Sequence, residues 1–189
     1  TCIDRFTDKY GTFESISDTV SPQGAMALCV MPEPHALPKG TTWVTAVHEL
    51  SDPGNLGTLM RSSEAAGAGA LVLVGNCVDP YSPKVVRASA GALFRIPVVH
   101  VEEVSDLMAD GFTVYGTSSH TDALRPISIY DMDTSGRLAV VLGNEAHGLP
   151  VDTPVDGWVT IPHAGRAESL NVAMAGTVIN MYIARERAK

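Results

Sequence analysis

The residues best suited to bind a ligand lie near the carboxyl end of the chain, where Ser169, Leu170 and Asn171 precede a long apolar stretch. We expect these three residues to open a helix. A helix N-terminus presents unpaired N–H groups and a partial positive charge, so it favours an anionic or polar ligand. Ser169 could equally serve only as the helix cap, because serine is among the residues preferred at that position.

Two earlier segments carry polar residues in loops that follow apolar strands. In the first segment, Asn55 lies six residues before Arg61. We expect the turn from the loop into a helix to direct both side chains toward the opening of one ligand site. In the second, Glu145 stands between Gly143 and Gly148, and glycine lets backbone approach a ligand closely. Taken singly, Asn55 could be a turn residue, Arg61 a solvated residue on a helix and Glu145 a surface carboxylate.

Strands and helices alternate along the chain, which predicts an α/β domain with a mostly parallel sheet and helices on both faces. The expected strands span residues 25–30, 42–50, 70–74, 97–101, 112–118, 137–142 and 157–161. The expected helices span residues 56–66, 83–94, 104–110 and 170–188. In such sheets, ligands bind at the carboxyl ends of the strands, where the three polar segments fall.

Taken together and in this order, the three segments resemble the three motifs of SpoU-type RNA ribose 2′-O-methyltransferases, part of the SPOUT superfamily. The matching stretches are DPGNLGTLMRSSEAAG from residue 52, LGNEAHGL from residue 142 and IPHAGRAESLNVA from residue 161. Two further stretches, SDTVSPQGAMALCV and SPKVVRASAGALFRIPV, resemble the strand entering the catalytic domain and an intermediate segment. The resemblance therefore covers about residues 18 to 187.

The resemblance implies a fold, a reaction and a set of site residues. The fold would contain a C-terminal deep trefoil knot, and the reaction would move a methyl group from S-adenosylmethionine to a ribose 2′-hydroxyl of ribosomal or transfer RNA. The implied catalytic residues are Arg61, Asn55, Glu145, Ser169 and Asn171. The implied cofactor-binding residues are Thr117, Ser118, Gly143, Asn144, Glu145, Ile161 and Leu170.

The same resemblance implies two partners, RNA and a second copy of the chain. Arg61, Arg87 and Arg166 are the candidate RNA contacts, because they fall on or near the motif loops. A homodimer would form through the knot helices, and the apolar stretch 170–183 suits a buried interface.

Arginine is effectively always protonated, so Arg61 suits stabilising an alkoxide better than acting as a base, although both roles stay open.

Composition limits the classes of protein that remain. The 189 residues can bury one sizeable core, and neither a membrane span nor a secretion signal is apparent, so we expect a cytoplasmic protein. Three cysteines and six scattered histidines lack metal-ligand spacing, so no metal is expected. The net charge of −8 is unusual for an RNA-binding protein. We therefore expect residues 1–24 to be the remnant of an N-terminal domain or linker, and residues 25–189 to be the catalytic domain.

Two alternatives to this function stay open. One is a catalytically silent RNA-binding protein that kept the knotted fold, and the other is a methyltransferase of the same fold that acts on a base nitrogen. Intact polar residues in all three motifs weigh against the silent protein. Arg61 together with Ser169, Leu170 and Asn171 weighs against the base methyltransferase.

Overall fold

The computed structural model describes residues 2–7, 25–30, 36–119 and 125–189, which form two compact units, Thr1–Glu33 and Pro34–Lys189. In the first unit, strand β1 (Cys2–Thr7) pairs antiparallel with strand β2 (Ala25–Cys29). We expected residues 25–30 to form a strand of the catalytic domain, but β2 pairs with β1 in a separate two-stranded sheet. The unit boundary thus falls between Glu33 and Pro34, and most of the expected remnant 1–24 lies outside the described residues.

The second unit is built on a parallel sheet whose strands in the described residues are β3 Trp43–His48, β4 Leu71–Val74, β5 Val98–Val101, β6 Thr113–Thr117, β7 Ile127–Ser128, β8 Leu138–Leu142 and β9 Gly157–Thr160. Their order in the sheet is β5-β4-β3-β8-β6-β9-β7. Every pair of neighbouring strands is parallel. The carboxyl ends of β3, β8, β6 and β9 are therefore adjacent at one edge of the sheet, where the three motif loops emerge.

Helices cover both faces of this sheet, which confirms the expected α/β architecture. Their bounds are α1 Pro53–Ala65, α2 Pro83–Ala88, α3 Val104–Ala109 and α4 Val172–Arg187. Alternate residues of β3 face opposite cores: Val47 packs in a cluster with Leu59 of α1 and Ile179 of α4, whereas Ala46 packs in a cluster with Leu107 of α3. None of the helices in the described part of the chain is long and apolar enough to cross a membrane.

Three of the helices in the described residues differ from the sequence expectation. The helix α1 begins at Pro53 and not at residue 56, since Asp52 is its N-cap and accepts a hydrogen bond from the Asn55 N–H. The predicted helix 83–94 is interrupted after α2, because Ala90 and Gly91 take left-handed φ angles of 47° and 84°, and only a short 3-10 helix, Ala92–Phe94, follows. The last helix begins at Val172 and not at Leu170, since Asn171 is its N-cap. Ser169 therefore does not cap α4.

The packing of α4 against the sheet depends on a glycine. A Cβ atom at Gly176 would collide with a methyl group of Leu59 and would lie 2.8 Å from one of Leu142. A side chain at this position would require Leu59 and Leu142 to move, so glycine lets α4 approach α1 and β8 without displacing these core side chains. This close approach brings the N-terminus of α4 to the edge where β8 ends.

A buried polar network joins α4 to α1 and β3. The fully buried Asn180 accepts a hydrogen bond of 2.8 Å from the Thr45 hydroxyl, and its amide group donates to Ser63 Oγ at 3.1 Å and to Ser62 Oγ at 3.4 Å. All four residues are at most 7% exposed. Buried polar groups are costly unless they are paired, so this network requires one register of α4 against its neighbours.

We expect Asn180→Ala to lower the free energy of unfolding by about 2–4 kcal/mol, because it leaves the Thr45 and Ser63 hydroxyls without their partner. Urea unfolding followed by circular dichroism measures this change. Arg185→Ala is the control on the same helix, since Arg185 is 75% exposed and its loss should change stability by less than about 0.5 kcal/mol. Equal effects of the two substitutions would contradict a structural role for the network.

Candidate functional site

A cavity of about 540 Å³ opens at the carboxyl edge of the sheet. The loops after β6, β8 and β9 and the first turns of α4 form its walls. Its volume lies in the range of about 300–1,000 Å³ that is typical of small-molecule and cofactor sites. The seven residues expected to bind a cofactor all line it: Thr117, Ser118, Gly143, Asn144, Glu145, Ile161 and Leu170.

The loop after β8 is a tight turn closed by backbone. Asn144 and Gly148 form an antiparallel bridge with two N–H···O=C hydrogen bonds, of 3.1 and 2.9 Å. Gly143 must be glycine, because a Cβ atom there would overlap the backbone of Gly148 and Leu149. Glu145 is thereby presented at the tip of the turn, beside the cavity.

Glu145 ties this turn to the loop between β3 and α1. Its carboxylate accepts hydrogen bonds from the backbone N–H groups of Asp52 at 3.0 Å and Ser51 at 3.4 Å, and from the Ser51 hydroxyl at 3.3 Å. The Asn55 amide donates a further bond of 3.2 Å to it. The carboxylate thus acts as a shared acceptor for four donors that belong to Ser51, Asp52 and Asn55.

The third motif joins the same network through Asn171. Its amide nitrogen donates a hydrogen bond of 3.0 Å to Asn55 Oδ1. Its amide oxygen accepts from the backbone N–H groups of Ala173 and Met174, which caps α4. The hydrogen-bonded series Glu145, Asn55 and Asn171 therefore connects all three motif segments. Because one side chain makes both contacts, the position of the Asn171 amide nitrogen depends on the cap that its oxygen makes on α4.

The pKa of Glu145 lies below its ordinary value of about 4.5. Partial burial is the largest single effect and raises the pKa, but the hydrogen bonds donated by its own backbone N–H, by Asn55, by Asp52 and by Ser51 together outweigh it. Hydrogen bonding to the charged form favours ionisation. Glu145 is therefore a carboxylate at neutral pH and acts as an acceptor that orders loops.

Neither Asn55 nor Arg61 lines the cavity, although we expected both to face one ligand site; Asn55 contacts the lining residues Glu145 and Asn171, and Arg61 is directed elsewhere. Asn55 and Arg61 both lie on α1, and six helical residues separate them by about 120° around the axis. Arg61 is exposed and does not line the cavity. Arg87 on α2 and Arg166 in the loop after β9 are exposed as well and also lie outside the lining.

Ser169 does line the cavity, in the loop that leads to α4. Sequence reasoning missed other lining residues, among them Ser119, His147, His163 and Glu168. The signal for His163 was present, since it follows Pro162 within the third motif, but the histidines were considered only as metal ligands. No group of three His, Cys, Asp or Glu side chains suited to a metal ion occurs in residues 2–7, 25–30, 36–119 and 125–189.

The comparisons with known proteins agree with this geometry. The sequence profile of the SpoU rRNA Methylase family matches residues 43–181, so the chain belongs to that family. Among curated proteins, this chain is 34% identical over 176 residues to the 23S rRNA (guanosine(2553)-2′-O)-methyltransferase RlmP of Bacillus subtilis. The alignment covers 90% of this chain and 68% of that protein. It is 37% identical over 148 residues to the 23S rRNA (uridine(2479)-2′-O)-methyltransferase of Streptomyces viridochromogenes, covering 72% of this chain and 50% of that protein.

Solved structures show the same fold. An rRNA methyltransferase from Sinorhizobium meliloti, with AdoMet bound, superposes with a TM-score of 0.80 at 31% identity and covers 94% of this chain and 69% of its own. The SpoU methyltransferase AviRb from Streptomyces viridochromogenes, in complex with AdoMet, gives a TM-score of 0.79 at 33% identity and covers 89% of this chain and 68% of its own. The chain thus spans half to about two thirds of the length of these relatives.

The depressed pKa of Glu145 gives a pH-dependent prediction. The carboxylate stabilises the folded state above its ordinary pKa of about 4.5, and this contribution is lost as the pH falls through the lower pKa of the folded protein. We expect Glu145→Gln to lower Tm at pH 7, because an amide group would face several N–H donors, and the difference from wild type to shrink below about pH 4.5.

The matched control is Glu168→Gln, which neutralises another carboxylate of the cavity wall that makes none of these hydrogen bonds. Its Tm at pH 7 should stay close to that of the wild type. Thermal unfolding at a series of pH values measures both variants. A Glu145→Gln difference that is independent of pH would show that the charge of Glu145 does not order the loops.

Proposed function

We propose that the chain catalyses transfer of the methyl group of S-adenosylmethionine to a ribose 2′-hydroxyl of ribosomal or transfer RNA. The observation that carries this proposal is the hydrogen-bonded series of Glu145, Asn55 and Asn171, of which Glu145 and Asn171 line the 540 Å³ cavity and Asn55 joins them from α1. Membership in the SpoU rRNA Methylase family and the printed activities of the relatives support it.

The cavity suits S-adenosylmethionine in size and in the polarity of its walls. In this proposal Thr117, Ser118 and Asn144 supply polar groups, while Ile161 and Leu170 supply apolar contacts for the adenosine moiety. The bound cofactor supplies an electrophilic methyl group on a sulfonium. AdoMet-bound structures among the similar proteins support this assignment.

The residues at the mouth would position the ribose. Asn55 and Asn171 hold each other and Glu145, so their amides are fixed before any RNA arrives, and Ser169 adds a hydroxyl to the same wall. Holding the 2′-hydroxyl in line with the methyl group lowers the entropic part of the barrier. Preorganised donors of this kind also stabilise the alkoxide character that develops during transfer.

Arg61 is assigned to the RNA side of the reaction. It lies outside the cavity wall of its own chain, so it has no direct route to the cofactor there. A permanently charged guanidinium binds phosphate in a bidentate manner and stabilises negative charge on oxygen. We therefore assign Arg61 to the phosphate of the target nucleotide, and it would reach the developing alkoxide only at the cavity of a second copy of the chain.

The charge distribution supports RNA as the partner. The whole chain has a net charge of −8, but residues 55–99 contain four basic side chains and two acidic ones. One of those acidic residues, Glu64, is already paired with Arg95 at 2.8 Å. Arg61 and Arg87 thus stand on a locally basic part of an acidic protein, and Arg166 adds a positive charge beside the cavity loop.

Because its substrate would be ribosomal or transfer RNA, we propose that the protein works in the cytoplasm.

The proposal predicts that Arg61→Ala lowers methyl transfer at least about 100-fold while leaving the Kd for S-adenosylmethionine within about threefold. Transfer is measured with radiolabelled methyl groups on ribosomal and transfer RNA transcripts. A ribose methyl group is recognised because it makes the adjacent phosphodiester resistant to alkali. Lys39→Ala is the control, since Lys39 precedes β3 and lies near the opposite edge of the sheet.

The outcomes separate the alternatives. Wild-type protein that binds the cofactor and RNA but transfers nothing would be a silent RNA-binding protein. If the RNA carries label but no phosphodiester becomes resistant to alkali, the methyl group is on a base and the protein is a base methyltransferase. Loss of cofactor binding together with activity in a folded Arg61→Ala variant would show that Arg61 belongs to the cofactor side.

We further propose that the chain forms a homodimer through α4. One side of this helix packs on the core through residues such as Ile179 and Ile183, while Met174, Val178 and Met181 are 64%, 41% and 44% exposed on another side. These three positions follow the spacing of one helical face. An apolar face of this kind is typical of a protein interface.

Val178→Asp should convert the dimer to a monomer at micromolar concentration, because burying an unpaired carboxylate in an interface costs several kcal/mol. Sedimentation velocity measures the change. Val178→Leu keeps the face apolar and should remain a dimer. If the wild type sediments as a monomer, or if Val178→Asp still dimerises, α4 is not the interface.

Two architectural features complete the proposal. The strand β9 lies beyond β6, two strands away from β8. After β9 the chain returns toward the centre of the sheet, where α4 packs against α1 and against Leu142 of β8. This return path past the loop that follows β8 supports a deep C-terminal trefoil knot. We also propose that the second unit, Pro34–Lys189, is the catalytic part of the protein and that the first unit belongs to an N-terminal domain or linker; the division expected after residue 24 would separate β1 from its partner strand β2.

A further inference from the structure

The 3-10 helix Ala92–Phe94 turns an aromatic ring into solvent. Ala92 is fully buried and Ile96 is 4% exposed, whereas Phe94 between them is 72% exposed. No other large apolar side chain in the described residues has so high an exposed fraction. Single apolar side chains on a surface are ordinary. The way in which this ring is held, and the charges around it, distinguish it from such a residue.

The backbone that carries Phe94 is held on both sides. Before it, Gly91 takes a left-handed φ angle of 84°, and the N–H group of Phe94 donates a hydrogen bond of 3.2 Å to the carbonyl oxygen of Gly91. After it, the N–H groups of Arg95 and Ile96 both donate to the carbonyl oxygen of Ala92, at 2.9 and 3.0 Å. The Cα atom of Phe94 is thus fixed by a hydrogen-bonded turn and not by burial of its own side chain.

An ion pair fastens the same turn to α1. The guanidinium of Arg95 lies against the carboxylate of Glu64, with Nε and Oε1 at 2.8 Å and Nη2 and Oε2 at 3.4 Å. Two N–H···O bonds restrict the geometry of such a pair more than one bond does. Because Arg95 directly follows Phe94, the pair also limits how far Phe94 can move away from α1.

The same attachment places Phe94 along the face of α1 that carries Arg61. The end of α2 touches α1 at Gly57, where even a Cβ atom would lie 2.8 Å from the backbone nitrogen of Ser89. At about 100° per residue, Arg61 lies about 40° from Gly57 around the helix axis, and Glu64 lies about 20° from Gly57 in the opposite sense. Along the axis, Arg61 is about 6 Å beyond Gly57 and about 4.5 Å before Glu64. Arg61 therefore emerges between the two points at which α1 holds the segment that carries Phe94.

The segment around Phe94 is basic. Residues 80–101 include Lys84, Arg87 and Arg95 but no aspartate or glutamate, in a chain whose net charge is −8. Lys84 and Arg87 are exposed, as is Arg61 on the neighbouring helix. Proteins bind single-stranded RNA with aromatic rings that stack on unpaired bases and with basic side chains that follow the phosphates. The combination of an exposed ring and exposed positive charges fits that partner.

We propose that Phe94 is a stacking platform for an unpaired base of the substrate RNA, near the nucleotide whose phosphate is assigned to Arg61. This inference rests on the proposed function and adds a substrate class to it, RNA that is single-stranded close to the methylated ribose. A ring that is already held in place loses little conformational freedom when a base stacks on it. Every base has a π face, so the platform accepts a base without reading its identity.

The first test measures RNA binding without any methyl transfer. The probe is a fluorescently labelled oligoadenylate of 12 nucleotides, and its Kd is measured by anisotropy at several salt concentrations. We expect Phe94→Ala to weaken binding about tenfold, and Phe94→Trp to keep the wild-type affinity, because tryptophan also stacks on a base. The slope of log Kd against log salt should be the same for Phe94→Ala and wild type, since the ring carries no charge.

A second probe separates the bases from the phosphates. It is the same ribose-phosphate chain with all its bases removed, and wild type and Phe94→Ala should bind it equally. An equal loss of affinity for both probes, or unchanged affinity of Phe94→Ala for oligoadenylate, would overturn the platform. A shallower salt slope in Phe94→Ala would also overturn it, because the substitution would then have removed phosphate contacts. A wild-type protein that binds neither probe would do the same.

Tyr130→Ala is the matched control. Tyr130 is also an exposed aromatic residue, at 60%, but it follows β7, at the opposite edge of the sheet from β5. This variant should bind both probes as the wild type does. Sedimentation of the RNA-free protein completes the control: if Phe94→Ala changes the oligomeric state, the ring belongs to a protein interface and the platform is wrong.

Methyl transfer distinguishes this inference from the proposed function. On RNA transcripts that the wild type methylates, Phe94→Ala should raise KM for RNA about tenfold and leave kcat and the Kd for S-adenosylmethionine within about twofold. A wild-type KM in Phe94→Ala would overturn the platform and leave the proposed function intact. Base-dependent binding that requires Phe94, in a wild-type protein that transfers no methyl group, would support the platform and contradict the proposed function.

Discussion

The carboxylate of Glu145 is the interaction on which the arrangement of the candidate site depends. It accepts hydrogen bonds from Ser51, Asp52 and Asn55, and Asn55 in turn accepts one from Asn171, the cap of α4. Three loops that are distant in sequence are thus held by one ionised group at the end of the central strand. Because hydrogen-bond donors surround it, the carboxylate keeps its charge at neutral pH, and its charge keeps the donors in place.

The parallel sheet makes this convergence possible. β8 lies between β3 and β6, and β9 lies beyond β6, so the loops after these strands emerge side by side. The two faces of the sheet bury separate cores, and the polar residues of the three motif loops lie at its carboxyl edge. The buried amide of Asn180 and the close approach at Gly176 then fix α4 relative to β3 and β8. The position of Asn171 follows from that packing.

Much of this organisation could be predicted from the sequence, because apolar strands and motif loops alternate regularly. The strands β3, β4, β5, β6, β8 and β9 and the lining by Gly143, Glu145 and Ile161 follow from that pattern. The strand β7 was not predicted, because its two residues, Ile127 and Ser128, are too few to show an alternating pattern. Capping was less predictable: Ser169 and Asn171 are both good cap residues, and the packing of α4 decides in favour of Asn171. The break at Ala90 is a left-handed backbone conformation that alanine itself does not signal. The contacts of the His163 ring with the carbonyl oxygens of Ile161 and Ala167 depend on where these two backbone groups point, which no side-chain pattern encodes.

The pairing of β3 with β8 also has a consequence for folding. Trp43 stands opposite Leu138, so the centre of the sheet joins segments from the early and the late part of the second unit. Contacts between residues so far apart in sequence form slowly, because a long loop must close first. During synthesis, β3, β4 and β5 leave the ribosome before their central neighbour exists. The nascent chain must therefore expose the apolar edge of β3 until β8 arrives, and this interval is when the protein is most prone to aggregate.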